Sequence, residues 1–306
     1  MSYGRSELGT HPWSLPEEES VPFIAQALEL GVNFFDTANV YSLGTSEEIL
    51  GGALRQLKVR DEVVIATKVY EPMRPGPLAG GLSRRSIIRE LDDSLRRLGT
   101  DYIDLYVIHR WDYDTPVEET MSALHDTVKS GKVRYIGASS MHTWQFVKAQ
   151  YVADLHGWTR FISMQSHYNL LNREDERELV PYCLDEGIAL TPWSPLARGK
   201  LTRDWTEQSR RTAGDPVQDM LYGATEQADR RVAQVVAEIA AERELPRAQI
   251  ALAWLLNRPG VVAPVIGATR QHHLADAVAA LDVQLTAEEV KRLEAPYVPH
   301  PVVGYR

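Results

Sequence analysis

The chain has little of what would place it among disulfide-stapled, membrane-spanning or nucleic-acid-binding proteins. Only one of its 306 residues is cysteine, so no intrachain disulfide is available. That residue, Cys183, sits among Leu179, Val180 and Leu184 with no histidine beside it, the setting of a packed thiol rather than a nucleophile. No uninterrupted apolar run approaches the ~18 residues of a membrane span. The acidic stretch Glu17-Glu18-Glu19 offers no apolar signal-peptide core either, so the cytoplasm is the expected location. Positive charge is in deficit: 33 Lys and Arg against 42 Asp and Glu leave a net charge of -9. Nucleic-acid backbones and anionic membranes reward clustered cations, so neither is expected as a partner. The Gly-x-Gly-x-x-Gly and P-loop spacings are both missing. No Pro/Gly/Ser linker or low-complexity tract interrupts the chain, and a single domain over residues 1–306 is expected.

What is present is an ordinary globular mixture, 44% hydrophobic and 25% charged, arranged as short β-branched and aromatic runs alternating with amphipathic segments. Strands are predicted over 32–36, 63–68, 103–109, 133–139, 161–165, 188–193 and 261–267. Most are continuously apolar, as strands covered on both faces are. Helices between them carry start and stop signals. Thr115-Pro116-Val117-Glu118 reads as a capping box with proline in the first turn, and Gly131 ends the stripe Val117, Met121, Leu124, Val128. Ile87, Leu91, Leu95 and Leu98 form a second stripe ending at Gly99, with Arg84, Arg85, Arg89, Arg96 and Arg97 expected mostly on its solvated face.

Repeated strand–helix units build either an open doubly wound sheet or a closed barrel. The missing glycine fingerprint disfavours the open sheet. Polar residues that end successive strands (Asp36, Lys68, His109, Ser139, Gln165, Ser194) favour the barrel, whose sites lie at the C-terminal ends of its strands. Singly, such an Asp reads as a helix cap, such a Lys as a snorkelling side chain and such a His as a core group. Three consecutive strands ending in ionisable groups, with Tyr41 just after Asp36, point instead to one chemical site.

Longer words carry a resemblance over nearly the whole chain. They are Gly31-Val32-Asn33-Phe34-Phe35-Asp36-Thr37-Ala38 with Tyr41, Ala66-Thr67-Lys68, and Asp101-Tyr102-Ile103-Asp104-Leu105-Tyr106 with His109. Further on come Ile136-Gly137-Ala138-Ser139, Gln165 with Tyr168-Asn169, Pro192-Trp193-Ser194-Pro195-Leu196-Ala197, and Val265-Ile266-Gly267-Ala268. In this order they resemble the aldo-keto reductases. The resemblance implies an α/β fold, a (β/α)8 TIM barrel of parallel strands with outer helices, that uses NADPH to reduce a small aldehyde or ketone. Asp36, Tyr41, Lys68 and His109 match the family's catalytic tetrad. Hydride arriving at a carbonyl carbon leaves negative charge on oxygen, so a proton donor aimed at that oxygen is required. Tyr41 is the expected acid, with the Lys68 ammonium lowering its pKa, Asp36 holding Lys68, and a neutral His109 orienting the carbonyl.

By the same resemblance Ser139 and Gln165 hold the nicotinamide carboxamide, and Trp193 stacks on the ring. The stretch from Ser194 through Pro195 and Leu196 passes over the pyrophosphate, with Arg198 and Lys200 supplying charge. Gly267, Thr269 and Arg270 lead into a helix from about His272, where Arg270 and backbone N–H groups receive the 2′-phosphate. His273 and Ala277 stand where relatives often have Gln or Arg and then Asn, which bears on the adenine grip and on the preference for NADPH over NADH. No metal site is expected. The first barrel strand is missing or truncated: nothing before Ser14 is an apolar strand, Met1-Ser2-Tyr3-Gly4 resembles only the tail of one, and the chain is expected to be short at its N-terminus. A nucleotide-binding regulatory subunit, like those of potassium channels, is the alternative reading. Met73, Trp111, Tyr113 and Tyr297 suggest an apolar substrate pocket, and Trp205 with the polar segment to Gln227 reads as either a lid or an idle loop. Substrate and oligomeric state stay open.

Overall fold

A computed structural model describes residues 2–8, 11–207, 215–303 and 305. They fall into two compact units, one running to Met164 and including Tyr305, the other beginning at Gln165.

The first unit alternates strand and helix as its hydrophobic pattern requires. It contains α1 (Glu17–Glu29), β1 (Phe34–Asp36), α2 (Thr45–Leu57), β2 (Val64–Val69), α3 (Arg84–Leu98), β3 (Ile103–Ile108), α4 (Val117–Lys129), β4 (Val133–Ser139), α5 (Thr143–His156) and β5 (Phe161–Gln165), whose last residue begins the second unit. Its strands lie in the order β1-β2-β3-β4-β5, and the registers Phe35↔Ile65, Lys68↔Val107 and Val107↔Gly137 are parallel. Consecutive parallel neighbours joined through a helix are the βαβ unit, which covers both sheet faces with apolar side chains. Ala66, Leu105 and Val107 are buried together with Phe34 against them.

Helix ends follow the sequence signals closely but not always by the expected atoms. Gly99 and Gly131 take left-handed φ values of 64° and 78° directly after α3 and α4, as the stop signals require. The capping box at Thr115 does not form. Thr115 donates instead to Asp112 at 2.7 Å, and Pro116, whose side chain cannot cap, precedes α4. Asp112 is the stronger acceptor, and it already takes the Leu82 N–H at 2.7 Å. Arg97 likewise leaves its expected solvated face to pair with the fully buried Glu47 at 2.6 Å, because a carboxylate without water needs a counter-ion.

The second unit holds α6 (Leu179–Asp185), β6 (Ala189–Leu190), α7 (Pro216–Tyr222), α8 (Glu226–Glu242), α9 (Arg247–Leu256), α10 (Gln271–Ala279) and α11 (Ala287–Glu294). Cys183 is buried on α6 with its thiol pKa pushed up to about 12 by burial, the packed role expected of it. The strand predicted over 261–267 is present only as two isolated parallel bridges, Leu190↔Val261 and Trp193↔Val265. Pro192 and Pro264 lack the N–H a ladder needs, so pairing there is interrupted. Six strands are therefore formed among the described residues, where seven were predicted and a complete barrel has eight. Nothing before β1 forms a strand among them. Tyr3 makes one parallel bridge to Leu15, with Gly4 N–H donating to the Leu15 carbonyl at 2.9 Å. The segment 208–214 of the expected lid lies outside the described residues. Next to it, the Trp205 indole donates to the Lys200 carbonyl at 2.9 Å.

Gly51 of α2 rests on the backbone of α3, where an added Cβ would sit 2.1 Å from the Leu98 carbonyl oxygen. In a free helix Gly→Ala stabilises by about 1 kcal/mol. Here Gly51→Ala should reverse the sign and destabilise by about 1–3 kcal/mol in urea unfolding, since backbone cannot move aside as a side chain can.

Candidate active site

The first unit gathers Asp36, Tyr41, Lys68 and His109 at the C-terminal ends of β1, β2 and β3. Parallel pairing makes this inevitable once each residue ends its strand. Lys68 is fully buried, and its ammonium donates to Asp36 Oδ2 at 2.5 Å and to the Thr37 carbonyl at 2.8 Å. Its Nζ lies 5.1 Å from the Tyr41 ring centroid. Tyr41 in turn meets His109 edge to face, with centroids 5.7 Å apart and planes at 76°.

Tyr41 is brought to this position by a tight turn in which Ser42, Leu43 and Gly44 all take positive φ, at 46°, 50° and 96°. Left-handed non-glycine residues cost roughly 1–3 kcal/mol each and persist where surrounding structure over-determines them. Here Thr45 Oγ1 donates to the Ser42 carbonyl at 2.9 Å and accepts the Arg5 N–H at 3.1 Å. Gly4 packs so closely on Ser42 that a Cβ would lie 2.4 Å from Ser42 Oγ. The short N-terminal segment therefore buttresses the tyrosine turn without being a strand.

Electrostatics decide the protonation states. Burial alone would depress the Lys68 pKa, but the Asp36 charge and then Tyr41 outweigh it, so the ammonium is held above its ordinary range. For Tyr41 the balance goes the other way. Burial raises the phenol pKa and exceeds the lowering by Lys68, while Asp36 raises it further. Lys68 does lower the pKa of this phenol, as expected, but desolvation of the phenolate is the larger effect and leaves it raised. His109 is held well below the ordinary histidine range by burial, then by Lys68 and Arg110. Its Nδ1 is buried with no hydrogen-bond partner among the described residues. A lone pair there costs less than an unsatisfied N–H, which favours the neutral tautomer carrying its proton on Nε2.

Several contributors were not legible as motifs. Glu47 accepts Thr67 Oγ1 at 2.5 Å and Arg97 at 2.6 Å, bracing β2 one residue before Lys68, and burial raises its pKa. Arg110, directly after His109, is a cation whose pKa burial lowers. His11 lies edge-on to both Trp13 and Tyr41. Trp111, expected among the pocket aromatics, packs on Trp144 at 6.1 Å. Tyr297, expected among the pocket aromatics, belongs to the second unit, where it donates to Glu174 at 2.6 Å and stacks on His300.

The residues expected at a cofactor divide between the units. In the first, Ser139 is buried at the end of β4 with its hydroxyl 3.1 Å from that of Ser140. In the second, Gln165 is buried, and His167 backs one face of Trp193 at 4.4 Å, nearly parallel. Asn169 donates to the Ser194 carbonyl at 2.9 Å, and Pro195 and Leu196 follow. Ser194, Ala197, Arg198 and Gly199 all take positive φ, so the backbone turns sharply through this loop. Arg198 pairs with the buried Asp215, so its charge is offset rather than standing alone, as burial of a guanidinium demands. The Lys200 ammonium lies 3.7 Å over the Trp205 ring. Gly267 and Arg270 are exposed, α10 starts at Gln271, and the Thr269 N–H donates to His273 Nδ1 at 3.3 Å. A flat aromatic wall and a left-handed loop suit a ring and a pyrophosphate, so these residues fit a dinucleotide.

The depressed His109 pKa has a thermodynamic consequence. The unfolded chain takes up a proton at this residue below about pH 6.5 that the folded chain refuses, so stability present above that pH is lost as pH falls. Wild type should lose up to about 1.4 kcal/mol per pH unit relative to His109→Gln between pH 6.5 and 5 in chemical unfolding. Parallel curves for the two proteins would rule out a neutral, desolvated imidazole.

Comparison with known proteins identifies the family. The sequence profile of the Aldo/keto reductase family matches residues 1–297. A versiconal hemiacetal acetate reductase of Aspergillus parasiticus is 44% identical over 322 aligned residues, spanning 99% of this chain and 93% of that protein. Aldo-keto reductase dtxS3 of Metarhizium robertsii is 44% identical over 96% of this chain and 85% of its own length. Aldo-keto reductase AMT2 of Alternaria alternata is 42% identical over 96% and 86%. With its parallel strand–helix alternation and a profile match over nearly its full length, the chain belongs to the aldo/keto reductase family of oxidoreductases.

Proposed function

We propose that this protein is a cytoplasmic NADPH-dependent reductase that converts a small aldehyde or ketone to its alcohol. The observation that carries the reading is the fully buried Lys68 ammonium, 2.5 Å from Asp36 and 5.1 Å from the Tyr41 ring, with His109 edge-on to that ring. A buried charge, an acid and a neutral donor meeting at one rim is costly, and carbonyl reduction needs that set. The (β/α)8 barrel expected from sequence is part of the same proposal.

NADPH, when bound, would supply the hydride. Tyr41 protonates the carbonyl oxygen as charge develops there. Its raised pKa keeps it protonated in the resting site, and the Lys68 ammonium stabilises the phenolate left after transfer. Asp36 keeps Lys68 charged and fixed. The Nε2–H of neutral His109 donates to the same oxygen and sets its direction. Ser139 and Gln165 are proposed to hold the carboxamide, and Trp193 to face the ring. The Ser194–Lys200 loop, with Pro195, Leu196 and Lys200, is proposed to follow the pyrophosphate, with the Arg198–Asp215 pair fixing its shape. Gly267, Thr269, Arg270 and His273 are proposed to meet the adenosine phosphate. The aromatic rings beside Tyr41, His11 against it and Trp13 against His11, suit a small or aryl carbonyl.

Incubating the protein with NADPH and a panel of aldehydes should give turnover, followed by loss of cofactor absorbance. Tyr41→Phe should lower kcat by ~10²–10⁴-fold while NADPH fluorescence titrations stay unchanged, and near-normal turnover would remove Tyr41 from the acid role. Arg270→Ala should weaken NADPH binding about tenfold and leave NADH binding unaltered. Equal effects on both cofactors would place the 2′-phosphate elsewhere.

A further inference from the structure

Arg110 is the one half-buried arginine of the first unit without an ion pair among the described residues. Arg60, Arg97 and Arg160, the others of similar exposure, pair with Asp104 at 2.9 Å, Glu47 at 2.6 Å and Asp154 at 3.4 Å. Arg110 makes a single hydrogen bond, from Nη1 to the His109 carbonyl at 3.4 Å, which is longer than the ~2.7–3.2 Å of a well-formed N–H···O contact. Burial accordingly lowers its pKa. Glu71 is the carboxylate that counters this most, followed by Tyr41, Tyr305 and Tyr70, but Glu71 stands too far off to form an ion pair. The guanidinium nitrogens that are sealed from water without a partner belong to Arg160, Arg198 and Arg258. Those of Arg110 that lack a partner are open to solvent.

Position makes this guanidinium relevant to the chemistry. It directly follows His109 at the C-terminal end of β3, on the rim that holds Tyr41 and Lys68. Its charge reaches both Tyr41 and His109 and lowers the pKa of each. Lys68, the other cation on these strand ends, is fully buried and already occupied by Asp36 and the Thr37 carbonyl. His109 is neutral. Arg110 is therefore the cation of this rim with donors to spare.

Resting on the reductase reading above, we propose that Arg110 receives a carboxylate carried by the substrate, so that the preferred carbonyl compound is an oxo acid and the product its hydroxy acid. A planar guanidinium matches a carboxylate through two parallel N–H···O bonds, and a desolvated cation lacking a close anion gains most from one. With Glu71 nearby, the incoming carboxylate shares the guanidinium. The same chain has a precedent in Arg173, shared between Glu176 at 2.7 Å and Glu294 at 3.2 Å. A substrate held at this point is anchored on the residue next to His109, so its carbonyl is positioned by the same strand end that supplies the neutral donor.

Steady-state kinetics with NADPH and the ortho, meta and para isomers of carboxybenzaldehyde, each against its own methyl ester, test this. At least one acid should exceed its ester in kcat/KM by about tenfold or more, mostly through a lower KM. The ratio should fall towards unity in Arg110→Met and stay above it in Arg110→Lys, which keeps the charge but loses the fork. Each ratio compares two substrates on one protein, so a general loss of activity in a variant cancels. In the unmodified protein, benzoate should inhibit reduction of the favoured acid competitively and benzamide should not, a measurement that needs no variant to fold. Three results would each overturn the assignment while leaving the reductase reading intact. They are no acid preferred over its ester, equal losses on acid and ester in Arg110→Met (a role confined to tuning Tyr41 and His109), and equal inhibition by benzoate and benzamide. Turnover of no aldehyde at all would remove both.

Discussion

Lys68 carries a full charge with no contact to water, and the site is built around that fact. Removing an ammonium from solvent costs several kcal/mol even after relaxation, and it is tolerated only where opposite charge and hydrogen bonds replace the lost hydration. Asp36 and the Thr37 carbonyl do so directly, at 2.5 and 2.8 Å. Both come from the end of β1, which pairs in register with β2, so the geometry of the ion pair is inherited from the parallel ladder. The raised Lys68 pKa, the depressed His109 pKa and the opposing pulls on Tyr41 all follow from this one confined charge.

Around it lies a second layer of buried polar groups that no catalytic role would have demanded. Glu47, reached by Thr67 and Arg97, fixes β2 beside Lys68, and Asn39 donates to Glu90 at 3.1 Å while its own N–H meets the Lys68 carbonyl at 3.2 Å. Networks of this kind specify one arrangement when satisfied and are expensive when broken. The left-handed run Ser42–Leu43–Gly44 is their counterpart in the backbone, strained so that Tyr41 meets the ammonium and held by Gly4 and Thr45. Pre-organisation here is distributed over α2, α3 and the N-terminal segment rather than confined to the rim.

Local signals in the sequence were dependable where a single physical cause dominated. Continuous apolar runs gave β2, β3, β4 and β5 within a residue, and the glycine stops after α3 and α4 appear where an αL residue is needed. Competition between causes was not legible. Thr115 had two possible acceptors and took Asp112, Arg97 had solvent and a buried carboxylate and took Glu47, and prolines reduced the last predicted strand to isolated bridges.

Residue order by itself determined the family and the alternation of parallel strands and helices, and it brings Asp36, Lys68 and His109 to one rim because each stands at the end of its own apolar run and parallel strands align their ends, with Tyr41 in the turn after β1. Only tertiary structure decided how those groups are charged and what braces them. Desolvation depends on every atom packed nearby, so the rise of the Tyr41 pKa against the pull of Lys68 has no sequence signature. The unpaired guanidinium of Arg110 was equally hidden, since an arginine at a strand end reads in sequence like one that is ion-paired, and pairing depends on which carboxylates the fold brings near.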